Sequence, residues 1–317
     1  MTPSGAHLPG VVRLGTRASL LARAQSGAVA AALGAALGRE VALVDVTTEG
    51  DVSRAPLAAI GGTGVFVGAL RDALLRGDVD VAVHSLKDLP TADPDSLVVA
   101  AVPRREDPRD VVVARDRLTL GELPAGARVG TGSPRRAAQL RALGLGIEVV
   151  PVRGNVDTRI RKVHDGDLDA VVLARAGLAR LVRLDEVTEV LDPLQMLPAP
   201  GQGALAVEVR AGDGELAHQV RDALDHRPSR VAVTAERVVL ADLEAGCSAP
   251  VGALADLVEG DDGEELWLRA VALSPDGALT VRRSASGSPD DPAGLGGRLA
   301  ADMLEDGAAR LLGEPVP

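Results

Sequence analysis

The chain has 317 residues, of which 46% are hydrophobic and 25% are charged, and this length favours two or three domains over a single core. One Trp, one Phe and no Tyr leave no aromatic platform for nucleic-acid bases, and the net charge of −11 repels nucleic acid and acidic membrane surfaces. The N-terminus lacks the pattern of a signal peptide and no apolar run reaches about 18 residues, so we expect a cytoplasmic protein without membrane or nucleic-acid partners. The single cysteine, Cys247, excludes an intramolecular disulfide, and no cluster predicts a metal site.

Alternating strand and helix patterns fill the first two-thirds of the chain. Short apolar runs predict strands at 11–14, 41–47, 79–83, 97–102, 111–113, 128–130, 147–151, 170–173 and 204–209. Helical spacing predicts helices at 20–33, 65–75, 133–143 and 156–164. This rhythm is typical of doubly wound α/β sheets, which are mostly parallel and carry helices on both faces.

Two polar, proline-containing segments, 103–109 and 191–203, predict crossovers between domains. We expect domain 1 to comprise 1–103 with 204–222, and domain 2 to comprise 109–198. Proteins of two such lobes bind ligands in the cleft between them. Residues 227–317 predict a small α+β domain 3, with a helix at 229–243, a hairpin of 264–273 and 278–286 around the turn Ser274-Pro275-Asp276-Gly277, and a final helix at 295–312.

The basic residues are concentrated in the middle of the chain. Residues 128–183 contain eleven Arg or Lys against five Asp or Glu. A basic region in an acidic protein favours a small anionic ligand over a polyanion, and uneven surface charge without a function is the alternative interpretation.

Ligands of parallel sheets bind where strands end and helices begin, so these junctions are candidate sites. The first is Gly15-Thr16-Arg17-Ala18-Ser19, which offers backbone N–H groups and an arginine to an anion. Helix capping by Thr16 or Ser19, with Arg17 in solvent, is the alternative.

The second junction is His84-Ser85-Leu86-Lys87-Asp88-Leu89-Pro90. Lys87 is one of only two lysines in the chain, and a carboxylate such as Asp88 at a strand end can exchange protons with a ligand or stabilise a cation. A surface Lys–Asp pair before a proline-ended turn is the alternative. His84 fits either a catalytic base or a packing residue.

The third junction, Gly130-Thr131-Gly132-Ser133-Pro134-Arg135-Arg136, places Ser133 at an N-cap and Pro134 at the first helical position. Arg135 and Arg136 then lie in the first turn, where cations oppose the helix dipole, and this unfavourable placement indicates an anion bound between them.

The fourth junction is Arg153-Gly154-Asn155-Val156-Asp157-Thr158-Arg159, and Arg180 on the following helix can join it. Arginine forks bind carboxylates and phosphates. Because the sequence lacks the glycine motifs typical of phosphate loops, we expect carboxylates.

Cys247 lies in the segment Glu244-Ala245-Gly246-Cys247-Ser248-Ala249-Pro250, which predicts a loop between a helix and a strand. Two interpretations fit this cysteine. It is either an inert packing residue or a thiolate that arginines stabilise and that is available for covalent chemistry.

These segments together resemble the porphobilinogen deaminase (hydroxymethylbilane synthase) family of tetrapyrrole biosynthesis. They cover nearly the whole chain in family order: LGTRASLLA from Leu14, VHSLKDLP from Val83, VGTGSPRRAAQL from Val129, VRGNVDTRI from Val152, LARAGLARL from Leu173, PAPGQGALAVE from Pro198 and AGCSAPVG from Ala245. The resemblance implies a monomer with two α/β lobes like those of a type II periplasmic binding protein, plus a small α+β C-terminal domain.

The resemblance also implies the chemistry. Cys247 would carry a dipyrromethane cofactor through a thioether. Asp88 would be the catalytic carboxylate for the condensation of four porphobilinogen molecules with loss of ammonia, after which water releases hydroxymethylbilane. The implied cofactor-binding residues are Cys247, Ser85, Lys87, Asp88, Thr131, Ser133, Arg135, Arg136, Arg153 and Gly154. The implied substrate-binding residues are Arg17, Ser19, Arg153, Arg159 and Arg180.

Two positions depart from the family pattern. Thr63 replaces a lysine that is frequent in the family's glycine loop, which removes a cationic contact. Pro134 stands where leucine is common, and we expect a stiffer turn with little effect on the chemistry. The alternative function for the same fold is a two-lobe protein that binds small anions without catalysis.

Overall fold

The computed structural model describes residues 10–46, 64–92, 94–244, 249–260 and 263–312, with only the backbone described at 64–66. The chain divides into two compact units, Met1–Arg105 with Ala204–Arg230, and Glu106–Gly203 with Val231–Pro317. The three-domain boundaries stay a prediction, because contacts inside the second unit join its two segments.

Strands and helices alternate along most of the described chain. In chain order they are β1 (Val12–Thr16), α1 (Leu20–Leu37), β2 (Val41–Asp45), α2 (Gly64–Arg76), β3 (Val81–Ser85), β4 (Leu97–Ala101), β5 (Asp110–Ala114), β6 (Arg128–Thr131), α3 (Pro134–Ala142), β7 (Glu148–Pro151), α4 (Val156–His164), β8 (Ala170–Ala174), α5 (Arg175–Arg180), β9 (Glu189–Val190), β10 (Leu205–Arg210), α6 (Gly214–Leu224), α7 (Arg227–Asp242), β11 (Val251–Gly260), β12 (Gly263–Leu273), β13 (Thr280–Gly287), α8 (Pro292–Glu305) and α9 (Ala308–Leu312).

The first unit is built on one five-stranded sheet with the order β2-β1-β3-β10-β4. β1 pairs in parallel with β2 and β3, whereas β10 runs antiparallel to β3 and β4. The carboxyl ends of β1 and β3 therefore meet at the same edge, which is where the first two candidate junctions lie.

Helix α1 shows why this sheet is stable. Ser19 caps its first turn, Gly38 ends it in the left-handed conformation, and its buried face includes Val29 and Leu33. These side chains pack with Leu14 of β1 in one apolar cluster. Each fully buried Leu or Val contributes roughly 1.5–3 kcal/mol of stability. By length and composition alone α1 could also cross a membrane, a weak indication because helices of soluble proteins pass the same test.

The second unit contains a five-stranded sheet of the same design, with the order β7-β6-β8-β5-β9. β6 pairs in parallel with β7 and β8, whereas β5 runs antiparallel to β8 and β9. Every residue of β5 is buried, which fits its valine-rich sequence. The predicted fold class, two doubly wound domains plus a smaller α+β domain, is confirmed.

The C-terminal part of the second unit adds one detail to the prediction and differs from it in another. Its sheet has three antiparallel strands, β11-β12-β13, in which β11 is the strand expected after the loop of Cys247, with bounds that were not predicted. The predicted final helix is two helices, α8 and α9, because Gly307 adopts φ +91° between them. The apolar face of α8 packs on this sheet through Leu295, Leu299 and Met303.

Val182 is a strained position directly after α5. It has φ +56°, a conformation that crowds a β-branched side chain, and it is 89% exposed. Its N–H donates to the carbonyl of Ala179 (3.1 Å), and the N–H of Arg183 donates to that of Leu178 (2.9 Å), which is a helix end that favours glycine.

We expect Val182→Gly to raise the free energy of unfolding by about 0.5–1 kcal/mol. Glycine removes the steric cost of the left-handed backbone, and its greater freedom in the unfolded chain offsets part of that gain. Chemical denaturation measures the change. Val190→Gly in β9 is the control and should lower the free energy of unfolding. If Val182→Gly also lowered it, the backbone at Val182 would not be strained.

Candidate functional site

In the first unit, the ends of β1 and β3 bring together the five residues predicted there: Arg17, Ser19, Ser85, Lys87 and Asp88. The hydroxyl of Ser19 caps α1 by accepting a hydrogen bond from the N–H of Ala22 (3.3 Å). The capping interpretation of Ser19 is therefore correct, and Arg17 lies half-buried beside it.

The turn that carries Asp88 is held in place by its neighbours. Residues Leu86–Asp88 form a 3₁₀ turn at the end of β3. The N–H of Leu86 donates to the carbonyl of Ala204 (3.0 Å), and the buried Leu89 anchors the other side. Lys87 and Asp88 are half-buried on this turn, where a ligand can reach them.

Ser85 is oriented by α1. Its hydroxyl accepts a hydrogen bond from Nε2 of Gln25 (3.1 Å), and Gln25 is itself buried. This contact ties the helix that starts at Ser19 directly to the strand that leads to Asp88. Gln25 was not among the predicted residues. It could have been found from the sequence as a polar residue six positions after Ser19, on the side of α1 that faces the sheet.

A buried charge cluster lies behind the same strand. Glu208 of β10 is 0% exposed and forms an ion pair with Arg71 of α2 (2.6 Å). Nε2 of His84 lies 3.0 Å from Oε2 of Glu208, without the alignment of a hydrogen bond. Burial alone would raise the pKa of Glu208, but His84 and Arg71 hold it below its ordinary value. His84 is thus a buried partner of Glu208, as its packing interpretation expects.

In the second unit, the third junction has the predicted caps. Ser133 is the N-cap of α3, where its hydroxyl accepts from the N–H of Arg136 (3.4 Å), and Pro134 begins the helix. Thr131 is buried at the end of β6, and its hydroxyl accepts from the N–H of Ser133 (3.2 Å).

Arg135 and Arg136 have a partner that the sequence analysis missed. Asp110, the first residue of β5, is 0% exposed and pairs with Arg135 (2.8 Å) and with Arg136 (2.7 Å). The anion inferred from their unfavourable helix position is therefore in part an internal carboxylate. Gln202 completes the cluster, because its Nε2 donates to Oδ1 of Asp110 (2.8 Å).

One carboxylate does not balance the charge of this region. Burial would raise the pKa of Asp110, but the two guanidinium groups outweigh it and place the pKa far below the ordinary value. Arg135 is buried, and its Nε has no hydrogen-bond partner among the residues that the structure describes. Burial lowers the pKa of Arg135; Asp110 opposes this shift, and the neighbouring Arg136 adds to it.

Arg159 on α4 adds a third cation to the same region. Its Nε donates to the carbonyl of Gly154 (2.8 Å). Burial, and then the charge of Arg136, lower the pKa of Arg159 to about 10. In the described part of the chain, Arg159 has no carboxylate partner. A bound anion next to Arg159 would favour its charged form and raise its pKa again.

Gly154 and Gly132 explain how the backbone comes close to Arg159. Gly154 has φ +107°, and a Cβ there would lie 2.8 Å from the side chain of Thr158. A Cβ on Gly132 would lie 2.6 Å from the carbonyl oxygen of Val152. Arg153 is exposed beside this turn, so residues 153–159 present arginines around a tight backbone.

Arg180 lies at the end of α5 and is half-buried. Its guanidinium donates to the carbonyl of Gly203 (2.6 Å), and burial lowers its pKa while Glu106 opposes that shift. Cys247 and Thr63 lie outside the described residues, as does the rest of the segment 245–248.

The donor set of the second unit fits a ligand with several carboxylates. The buried guanidinium groups of Arg135 and Arg136 share one internal carboxylate, Asp110, and the half-buried Arg159, whose pKa is lowered by burial and by the charge of Arg136, has no carboxylate partner among the described residues. In the first unit, a lysine and an aspartate are half-buried at a strand end. The fold and the residues at these strand ends define an α/β protein of the class whose sites suit small polyanionic ligands.

Comparisons with known proteins agree with that class. Residues 12–218 match a family described as "Porphobilinogen deaminase, dipyromethane cofactor binding domain", and residues 231–305 match "Porphobilinogen deaminase, C-terminal domain". The chain is 61% identical over 312 residues to porphobilinogen deaminase 1 of Streptomyces coelicolor, covering 96% of this chain and 98% of that protein. It is 59% identical over 307 residues to porphobilinogen deaminase of Mycobacterium tuberculosis, covering 95% and 98%.

The chain therefore belongs to the porphobilinogen deaminase family. The predicted family, its transferase class and its dipyrromethane cofactor are confirmed. The alternative of a non-catalytic anion-binding protein is not favoured by these matches.

Proposed function

We propose that the chain joins four porphobilinogen molecules head to tail with loss of ammonia, and then releases the linear product, hydroxymethylbilane, by hydrolysis. Family membership supports the reaction. The observation that carries the assignment to this site is the surplus of guanidinium groups over carboxylates among the described residues: the buried Arg135 and Arg136 share Asp110, and the half-buried Arg159 has no carboxylate partner there. Each pyrrole unit brings two carboxylates, so a growing chain supplies the anions that this surplus lacks.

The proposed binding residues fall into two groups by unit. In the first unit, hydroxyl and cationic groups at the ends of β1 and β3 would hold carboxylates of cofactor and substrate: Arg17, Ser19, Ser85 and Lys87. In the second unit, the caps and arginines of α3, α4 and α5 would do the same: Thr131, Ser133, Arg135, Arg136, Arg153, Gly154, Arg159 and Arg180.

Asp88 is the proposed catalytic carboxylate. Porphobilinogen must lose its aminomethyl nitrogen as ammonia, which breaks the C–N bond and leaves an azafulvenium cation whose electrophilic carbon is the exocyclic methylene. The carboxyl group of Asp88 at the end of β3 can donate a proton to the departing amine and, as a carboxylate, stabilise the cation. A pyrrole carbon of the growing chain then bonds to the methylene, and the carboxylate can accept the proton that this carbon loses. The fixed 3₁₀ turn orients it for these steps.

Cys247 is the proposed anchor. The dipyrromethane group, held there by a thioether, supplies the primer that stays on the protein when product leaves. Since Cys247 is the only cysteine, both the attachment and its loss can be measured on the intact chain.

We expect the purified parent protein to have a mass above that of its polypeptide by one dipyrromethane group, and Cys247→Ser to have the bare polypeptide mass. Intact mass spectrometry measures both. In the parent sample, iodoacetamide should label the Cys247 thiol only in chains that do not carry the primer. A bare mass for the parent, together with no consumption of porphobilinogen, would contradict the function.

We further propose that the protein acts as a cytoplasmic monomer without membrane or nucleic-acid partners, which its net charge of −11 supports. Native mass spectrometry of the same samples checks this proposal, because a single chain of 32.4 kDa plus primer is expected. A stable dimer would contradict it.

A further inference from the structure

The turn at the tip of the C-terminal hairpin packs closely against α3 within the second unit. Gly277, in the turn between β12 and β13, adopts φ +76°. A Cβ on Gly277 would lie 2.5 Å from the carbonyl oxygen of Ala138 and 2.8 Å from the backbone nitrogen of Ala142. Only glycine allows the two backbones to come this close.

Polar and apolar contacts surround this close approach. The guanidinium of Arg141 donates to the carbonyl of Pro275 (2.7 Å). Beneath it, a buried cluster joins residues of α3, of the crossover and of the C-terminal sheet: Ala138, Leu197, Leu254, Val271 and Leu273. Asp276 stiffens the turn, because it accepts hydrogen bonds from the hydroxyl of Ser274 (2.5 Å) and the N–H of Ala278 (3.1 Å).

The other end of α3 is fixed by the proposed anion site. Arg135 and Arg136 pair with Asp110, as described above. Between the two ends, the side chain of Gln139 donates to the carbonyl of Leu197 (2.9 Å) and accepts from its N–H (2.8 Å). A shift of the hairpin would therefore pass directly to the helix that begins with the two arginines.

We propose that the turn Ser274-Pro275-Asp276-Gly277 is a docking element that holds α3 and the C-terminal sheet as one rigid body, with Gly277 as the positioning residue. β11 of that sheet begins four residues after Cys247 in the sequence. Docking thus sets the arginines of α3 relative to the sheet that begins with β11. The consequence for the primer rests on the proposed function, whereas the docking itself does not.

The test compares two glycines with nearly the same backbone. Gly277→Ala adds a methyl group that must displace the backbone of α3, whereas Gly126→Ala, with φ +81°, adds one where nothing lies within 4 Å. Both variants carry the cost of a left-handed alanine, so their difference isolates the docking contact. Hydrogen–deuterium exchange of residues 138–142 and 273–280 reads that contact directly.

In Gly277→Ala, we expect amide exchange in both segments to be about tenfold faster than in the parent, because overpacking opens the interface locally. The fraction of chains that carry the primer mass should also fall. Gly126→Ala should match the parent in both measurements. Arg141→Met, which removes only the bond to Pro275, should give a smaller increase in exchange and remains informative if Gly277→Ala does not fold.

Equal exchange rates in Gly277→Ala and Gly126→Ala would overturn the docking element. If exchange were faster in Gly277→Ala and Arg141→Met but every chain still carried the primer mass, the turn would not have the proposed positioning role. If the parent itself carried no primer, the proposed function would fail, but the exchange measurement would still decide the docking.

Discussion

Asp110→Asn is expected to lower the free energy of unfolding by about 3–5 kcal/mol, because it removes the carboxylate that, among the residues the structure describes, pairs with two buried guanidinium groups. Asp110 is 0% exposed, and Arg135 and Arg136 are 3% and 5% exposed, so water cannot replace the lost partner without opening the structure. Asparagine keeps the shape and part of the hydrogen bonding, which makes the lost charge the main difference. Urea denaturation of the parent and the variant measures the change.

Asp256→Asn is the matched control. Asp256 also pairs with an arginine of the second unit, Arg269 (2.9 Å), but the two side chains are 50% and 34% exposed. Such exposed pairs contribute up to about 1 kcal/mol. If both variants lost the same small amount of stability, the cluster around Asp110 would not have the energetic weight that its burial implies.

The same cluster predicts how stability depends on pH. The pKa of Asp110 is lowered in the folded protein by Arg135 and Arg136, which outweigh the effect of burial. A carboxyl group with a lowered folded pKa contributes stability above its unfolded pKa, near 4, and that contribution is lost as the pH falls towards the folded value. We expect the parent to lose stability below about pH 4, and Asp110→Asn to lose less over the same range. A parallel decline in both proteins would assign the acid sensitivity to other carboxyl groups.

Much of the fold could be predicted because local patterns and tertiary packing agree. The valine-rich runs became strands such as β5 and β8, and α4 begins and ends where the spacing placed it, at Val156 and His164. The cap at Ser133 acts as predicted, since the hydroxyl of a serine directly before a helix can accept a hydrogen bond from a free N–H of the first turn. The break at Gly307 was missed because apolar spacing continues through it into α9.

The charged interior could not be predicted in the same way. Asp110 follows a polar proline-containing segment, so it resembled the end of a surface linker, yet it is the buried first residue of β5. Glu208 stands inside an apolar strand, and its partners Arg71 and His84 are far from it in sequence. In both cases the sequence signal was an acidic residue next to a run of valines that are buried. A buried carboxylate needs a cationic partner, so this signal predicts an ion pair. It does not identify the partner residue, because the tertiary fold decides which cation lies nearby.

This difference changes how the arginines of α3 are understood. The sequence predicts Arg135 and Arg136 as two equivalent groups that bind an external anion between them. In the structure both are bound to Asp110, and of these three arginines it is Arg159, with its pKa lowered to about 10, that has no carboxylate partner among the described residues. We therefore expect Arg159 to contribute more to carboxylate binding per side chain, and the pair on α3 to provide the fixed positive potential behind it.

Asp88→Asn is expected to lower kcat by about two to four orders of magnitude, which is the usual contribution of a carboxylate that transfers protons in a reaction. Asparagine has the same shape and stays on the same 3₁₀ turn, so binding of porphobilinogen and the KM should change much less than kcat. Asp88→Glu keeps the acid but moves it by one methylene group, and we expect an intermediate loss because proton transfer depends on position. Steady-state consumption of porphobilinogen measures both variants.

Asp95→Asn is the control, since Asp95 is an exposed carboxylate in the turn before β4 of the same unit and is expected to leave turnover unchanged. The intact mass of each variant separates two causes of inactivity. A protein that carries the primer mass and turns over slowly has lost chemistry, whereas one that lacks the mass has lost assembly. Because Asp88 would act on every condensation, a primed Asp88→Asn protein with near-parent kcat would remove this carboxylate from the reaction, and the proton transfers would have to be assigned to another group at the end of β3.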